Sequence, residues 1–415
     1  MTEGLHAIVG REGILSDSAR YAVGGQTPTT VVAPQNEPEV VALIEYAVGH
    51  RLPFTVVGSG THLTALLPPE PYVWTLCTRR LNRVIDYSPA DLVITVGAGM
   101  RLSEVQAVLG EHSQYLPWNP PLPDEATIGG IVASARGGSW RFRHGTPRDR
   151  LLALRAVRGD GVPFKSGAKV VKSVAGYDLH RLLCGSWGTL AVITEITLKV
   201  APLPSARRAV RWRVLDWNAV EPTLAQLMHA PLQPDSLDLV LLDSSDRSAQ
   251  SERLPFFLME FSGSEVGIEW QIRWLQAQGF ETEPVSPETL AHLRDWLAPR
   301  SHQWLIKILM RSSEVADWMA QLATIAGCTL YAHAGSGVLY VACEAEEVAQ
   351  QVLQTLRDTP LKWHALQGVL NGERRAANPS HSQLVARLKQ AFDPHNLLPN
   401  TLYIQPRILS IEQDT

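Results

Sequence analysis

Three short stretches place glycine beside hydroxyl or basic residues: Gly58-Ser59-Gly60-Thr61-His62, Thr127-Ile128-Gly129-Gly130 and Gly185-Ser186-Trp187-Gly188-Thr189. A strand that ends in a glycine turn presents several peptide N–H groups together, and such a surface suits a pyrophosphate. A nucleotide is the ligand this chemistry suggests. The first stretch is not a Rossmann fingerprint, because Leu63 stands where G-x-G-x-x-G requires its third glycine. Taken alone it reads equally as a tight turn between strands. Arg141, Arg143 and Arg148 bring positive charge beside Gly137-Gly138 and Gly145, although a solvated arginine cluster has the same pattern. For acid–base work the candidate is His333, in Tyr331-Ala332-His333-Ala334-Gly335-Ser336-Gly337; a hydrogen-bonded structural histidine is the competing reading. His364, His381 and Arg374 have only their residue type to recommend them.

The elements that must position these residues are legible in outline. TTVVAP (29–34), FTVVGSG (54–60) and DLVITVGAGM (91–100) read as strands, and Asn36 with Glu39 forms a capping box that opens a helix over 38–50. A second helix starts near Ser103. Thr127 opens a helical segment through IVASA, in which Gly129 and Gly130 each cost about 1 kcal/mol relative to alanine. A close approach, with a ligand as one candidate, compensates that cost. LLALRAVRGDGVPFKSG (151–167) reads as a hairpin turning at Gly159-Asp160-Gly161. Residues 172–183 can coil, and LAVITEITLKV (190–200) is a long strand or strand pair. Three glycine turns, each beside a buried β run, look like walls of one cavity.

At 415 residues the chain exceeds what one core usually organises, so two domains are expected. A formal charge of -4 gives no global reason to bind nucleic acid or an anionic membrane. Cys77, Cys184, Cys328 and Cys343 are scattered without a C-x-x-C pair, which argues against a disulfide framework, a zinc site or a cysteine-ligated iron–sulfur cluster. The start, MTEGLHAIVGREG, lacks the basic flank and apolar run of a signal peptide, and no transmembrane segment is expected. A cytoplasmic protein, peripheral to a membrane only through partners, is the corresponding expectation.

VVGSGTHL (56–63), DEATIGGIVASARGG (124–138), RHGTPRDRLLALRAVRGDG (143–161) and GYDLHRLLCGSWGTLAVITEITLKVAPLP (176–204) together resemble the FAD-binding domain of the vanillyl-alcohol oxidase and p-cresol methylhydroxylase (PCMH-type) superfamily, in its glycolate oxidase and D-lactate dehydrogenase branch. The tail KQAFDPHNLLPN (389–400) is similar to the segment by which that family returns to its FAD domain. A short chain without an iron–sulfur motif is most similar to the E subunits of bacterial glycolate oxidases. The resemblance implies FAD, held with its pyrophosphate against the main chain of Gly58, Ser59, Gly60, Thr61 and His62, and approached from the other side by Thr127, Gly129 and Gly130. It implies that Ala133, Ser134, Gly137 and Gly145 line the adenosine or flavin stem, and that Val192 and Ile193 lie on a strand against the cofactor. Thr61 intervenes between the glycine pair and His62, where covalent members have histidine directly, so non-covalent FAD is implied. Trp187 replaces the family's usual acidic residue between the glycines of its turn.

The expected fold class is α+β: a two-part PCMH-type FAD-binding domain over 1–205, an α+β cap of antiparallel sheet covered by helices over 206–370, and a segment over 371–415 returning to the FAD domain. In the cap, strand-like and helical runs alternate up to about residue 358, as in a duplicated α+β unit. Catalytic relatives carry a metal or substrate site here, but around His333 the expected aspartate and second histidine are replaced, approximately at Ser336 and Leu339, and no metal is expected. The branch therefore implies an FAD-binding subunit of a 2-hydroxy acid oxidase, partnered by a D-type flavoprotein subunit and an iron–sulfur F subunit. A self-sufficient D-lactate or glycolate dehydrogenase and a non-catalytic scaffold are the alternatives. Twelve tryptophans are unusual, and Trp270 and Trp274, at i and i+4, read either as core packing or as a surface for a partner.

Overall fold

A computed structural model describes residues 2–23, 26–63, 72–169, 177–242, 254–357, 359–368 and 379–399. Gly176, the expected coil over 172–176, Arg374, the side chain of His381 and the chain from 400 onward lie outside the described residues.

The first half builds two sheets. One is small and largely parallel, with Ile14–Leu15, Thr30–Val32, Trp74–Cys77 and Phe54–Val57 in that spatial order. Thr30–Val32 and Phe54–Val57 run parallel on either side of Trp74–Cys77, and the helix Glu37–His50 makes the crossover between them. Asn36 caps it by accepting from the Glu39 N–H at 2.9 Å. The Glu39 carboxylate reaches back one residue further than a capping box requires, to the N–H of Gln35 at 2.9 Å. Val40, Leu43, Ile44 and Ala47, spaced on one helical face, are buried.

The second sheet is antiparallel: Val84–Ser88, Val93–Gly97, Ala191–Lys199, Leu151–Arg158 and Pro163–Gly167. The last two form the hairpin expected at Gly159-Asp160-Gly161. The central strand Ala191–Lys199 carries a bulge between Ile193 and Glu195. The extra residue keeps Ala191 and Ile193 on the same face as Ile196 and Leu198, against the helices Leu102–Gly110 and Ile128–Ser134, while Val192 packs on the opposite side.

Residues beyond 205 form an eight-stranded antiparallel sheet made of one unit used twice. Ala206–Arg213, Val220–Met228, Ser236–Leu241, Phe256–Gly263, Glu265–Ala277 and Glu283–Pro284 run strand, helix, strand, strand, helix, strand. Trp304–Leu309, Val315–Ala323, Cys328–His333, Val338–Cys343, Glu346–Arg357 and Lys362–Gln367 repeat that order, and the units join where Ser236–Leu241 pairs with Cys328–His333. Strand alternation gives the sheet two different faces. Leu237, Leu239, Leu330, Ala332, Leu339 and Val341 pack under the helices. Val240, Leu258, Tyr331, Val338 and Tyr340 point to the other side, in a cluster joined by Trp187 from the first half. Of the helical tryptophans, Trp274 packs against the core and Trp270 is 52% exposed.

The helix Pro379–Phe392 returns the chain to the first half. The N–H of Phe54 donates to the carbonyl of Leu397 and that of Gly159 to Phe392. Lys389, buried, donates to the carbonyls of Thr189, Leu398 and Pro399 and pairs with Asp393 at 2.7 Å.

Candidate functional site

The three glycine stretches converge on one cleft. It is lined by Gly58, Ser59, Gly60, Thr61 and His62 from the end of Phe54–Val57, by Thr127, Gly129, Gly130, Ala133 and Ser134 from the helix Ile128–Ser134, and by Trp187, Gly188, Ala191 and Ile193. The approach is close enough to require glycine. A Cβ on Gly58 would stand 2.1 Å from Thr127 Oγ1, and one on Gly129 would stand 2.7 Å from the Ala98 carbonyl oxygen. Here the cost of glycine in a helix is matched by main chain lying against main chain.

The cleft has unused donors. No described residue accepts from the main-chain N–H groups of Ser59, Gly60, Thr61 or His62. On the opposite wall Thr127 caps its helix by accepting from the N–H of Gly130, and the N–H groups of Ile128 and Gly129 donate to the carbonyls of Met100 and Ala98, so the open donors are those of the first loop. His62 lies in the wall with Nδ1 3.0 Å from Thr61 Oγ1, and its buried Nε2 has no partner among the described residues. Burial, aided by the nearby Arg136 and Lys307 cations, pushes the His62 pKa far below its ordinary value, so the ring is neutral. Open peptide donors in the first loop and a neutral imidazole are a donor set that fits a pyrophosphate.

The turn Gly185–Gly188 closes the other end of the same helix. Gly185 N–H donates to Val132 and Trp187 N–H to Ala133, satisfying carbonyls that a helix C-terminus leaves open. Gly185 and Gly188 have φ of 87° and 69°, and Trp187 adopts φ 56°, a conformation that disfavours any residue with a Cβ. Its indole lies edge-on to His62 at 6.4 Å and to His364 of the second half at 5.4 Å. Trp187 is thus a wall of the cleft as well as a packing residue.

Gly137, Gly145 and Val192 do not reach the cleft. A Cβ on Gly137 would meet Pro147 and Trp118, and Gly145, at φ 79°, lies against Asp149, so both shape the turn that follows the helix. Val192 points away because strand neighbours alternate, and it packs with Val157 and Leu397. Thr78, Ala98 and Ala191 line the cleft without having stood out in the sequence: each is a small residue in an ordinary run.

A second, larger cavity of about 800 Å³ opens where the two halves meet. His333 is part of its wall. The ring is buried, with Nδ1 3.1 Å from Asp238, which also accepts from Tyr331. An aspartate thus meets His333 from across the sheet, and the only sequence signal for it was an acidic residue inside the apolar strand Ser236–Leu241. His333 Nε2 has no partner among the described residues. Glu260, likewise an acid inside an apolar strand, accepts from Trp140 Nε1 at 3.0 Å and from Ser236 at 3.1 Å. Burial pushes its pKa up to about 7 against those donors, helped by the neighbouring Asp238 and Asp235 charges. Among the described residues no three His, Cys, Asp or Glu side chains form a group that could hold a metal ion.

Arg136 links the two recesses. It is buried beneath Tyr340 and donates to the carbonyl of Leu297 on the cavity side, while its charge acts on His62 on the cleft side.

Residues 28–166 match the family of FAD binding domains. The chain is 25% identical over 413 residues to glycolate oxidase subunit GlcD of Bacillus subtilis, covering 89% of this chain and 88% of that subunit. It is 35% identical over 192 residues to glycolate oxidase subunit GlcE of Escherichia coli, 46% of this chain and 53% of that subunit. In fold it matches 4-ethylphenol oxidase from Gulosibacter chungangensis with a TM-score of 0.72, covering 98% of this chain and 97% of that one at 13% identity. Among the described residues no helix is long and apolar enough to cross a membrane.

Proposed function

This chain belongs to the PCMH-type FAD-binding superfamily and takes FAD as its cofactor, and from that premise we propose that it is the FAD-binding subunit of a glycolate (2-hydroxy acid) oxidase, working with a D-type flavoprotein and an iron–sulfur subunit. The observation that carries this reading is the glycine-walled cleft with its open N–H groups. Ser59, Gly60, Thr61 and His62 hold the pyrophosphate through the main chain, with Gly129 and Gly130 opposite. FAD, when bound, supplies the acceptor for the electron pair of an oxidised alcohol carbon. The chain's own residues bind and orient it, and the neutral His62 avoids placing a second cation beside Arg136. The alignment with a GlcE subunit, and the absence of a second histidine from the His333 motif, favour the subunit role.

A self-sufficient dehydrogenase is the second reading, favoured by the His333–Asp238 pair, in which an oriented imidazole keeps Nε2 available for the proton of a substrate hydroxyl. An anaerobic visible spectrum of the purified chain, recorded before and after glycolate and then D-lactate, separates the two. A flavin band that persists supports the subunit; one that bleaches supports the self-sufficient enzyme. No flavin band after reconstitution with FAD would sink both and leave a scaffold.

A further inference from the structure

Cys328 and Cys343 share no motif in the sequence, yet the fold sets them face to face. The first opens the strand Cys328–His333, the second ends Val338–Cys343, and the antiparallel register places them directly opposite each other. The N–H of Glu344 donates to the carbonyl of Gly327 at 3.1 Å, so Gly327 and Glu344 are a hydrogen-bonded pair and the two cysteines are the adjacent non-hydrogen-bonded pair. Pairs of that kind bring their Cα atoms to about 4.5 Å, inside the range of roughly 4.4–6.8 Å that a disulfide spans. The thiols already meet: a side-chain hydrogen bond joins them.

Both side chains point to the helix-covered face of the sheet, where Leu330 and Val341 are the next pair along. Tyr331 and His333 turn to the opposite face and the cavity, so the cysteines belong to neither recess. One buried cysteine serves a core as a small apolar residue. Two in contact carry a chemistry that neither has alone. The pair is buried, but it lies at the open end of its hairpin, close in the chain to the exposed Ala326 and Glu344. The hydrogen bond to Cys328, and then burial, push the Cys343 pKa up, which keeps the thiolate scarce and its attack slow.

We propose that Cys328 and Cys343 are a redox-modification site, closing reversibly into a cross-strand disulfide by exchange with a small-molecule disulfide such as that of glutathione. One cysteine, as thiolate, attacks a sulfur of glutathione disulfide and expels one glutathione thiolate; the second cysteine then displaces the other glutathione from the mixed disulfide. One S–S bond breaks and one forms, two electrons pass from the cysteines to glutathione, and the two cysteine protons end on two glutathione thiols. The new bond fastens the strands at the end opposite the Ala334–Ser336 turn.

The test approaches equilibrium from both sides. The reduced, folded chain and a chain refolded from urea under oxidising conditions are incubated overnight in the same glutathione buffers, alkylated, digested and weighed. Both samples converge on one linked peptide holding Cys328 and Cys343, lighter by two hydrogens than the sum of its parts, and its share falls as reduced glutathione rises. Closing the bond raises the melting midpoint by about 5 °C. Cys328→Ala removes the linked peptide and the dependence of melting on the buffer; Cys343→Ala does the same if the first variant does not fold. No linked peptide in either sample, a link that joins Cys77 or Cys184 instead, or closure in the refolded chain alone would overturn the proposal. Flavin absorbance in the same samples keeps the outcome separate from the cofactor reading, since the pair stands apart from the cleft.

Discussion

The cleft and the cavity meet at Arg136 and are built from different materials. The cleft is main chain: glycines let three segments approach within contact, and its chemistry is that of open peptide N–H groups. The cavity is side chain: Trp140, Glu260 and His333, with Asp238 behind His333, come from strands and turns far apart in sequence. A recess of main chain tolerates almost no change in the residues that allow the approach, whereas one of side chains can change its ligand one residue at a time.

The largest effect that would break this comparison is expected at Gly129. Gly129→Asp places a Cβ 2.7 Å from the Ala98 carbonyl oxygen and a carboxylate at the loops. FAD affinity falls by about a hundredfold or more, which corresponds to about 3 kcal/mol. Flavin absorbance against protein concentration measures it, and full occupancy would place the cofactor elsewhere.

Support from behind the cleft is the next test. Lys389→Met leaves the carbonyls of Thr189, Leu398 and Pro399 without their donor and Asp393 without its cation. Breaking a buried pair in this way costs about 3 kcal/mol. Denaturant unfolding shows the loss, moderated because Asp393 also accepts from the N–H groups of Leu397 and Leu398.

On the cavity side, Glu260 predicts a dependence on pH. Its pKa stands at about 7 in the folded chain against an ordinary 4.5. Below 4.5 both states hold the proton; between 4.5 and 7 the unfolded chain releases it while the folded chain keeps it, so stability falls as pH rises through that window. Glu260→Gln should shrink the loss between about pH 5 and pH 8 by about 2 kcal/mol, read from urea midpoints. An unchanged slope would mean that the carboxyl titrates as it does in water.

The smallest difference is the sharpest in sign. Alanine normally serves a chain better than glycine, but position 187 sits at φ 56°. Trp187→Gly should be more stable than Trp187→Ala by about 1 kcal/mol. The reverse order in thermal melts would show that the turn relaxes once the indole is gone.

The same contrast explains what could be read from the sequence. Glycine loops are local, and their strands, the Asn36 cap, the hairpin at Gly159-Asp160-Gly161 and the alternation beyond residue 205 all depend on neighbours in the chain. Gly137, Gly145 and Val192 were indistinguishable from cleft residues at that level: the two glycines serve turns, and the direction of Val192 depends on strand parity. Asp238 and Glu260 left only the trace of an acid in an apolar strand, and their meeting with His333 and Trp140 needs a folded sheet and two halves in contact.

The grip of Lys389 on the carbonyl of Thr189 spans 200 residues of chain. At ribosomal rates of about 5–20 residues per second, the carbonyl of Thr189 is made roughly 10–40 s before its ammonium partner exists. Newly synthesised molecules pass that interval with the glycine loops present and the Lys389 contact absent, so the packing behind Gly188 is completed late in biogenesis rather than in early folding.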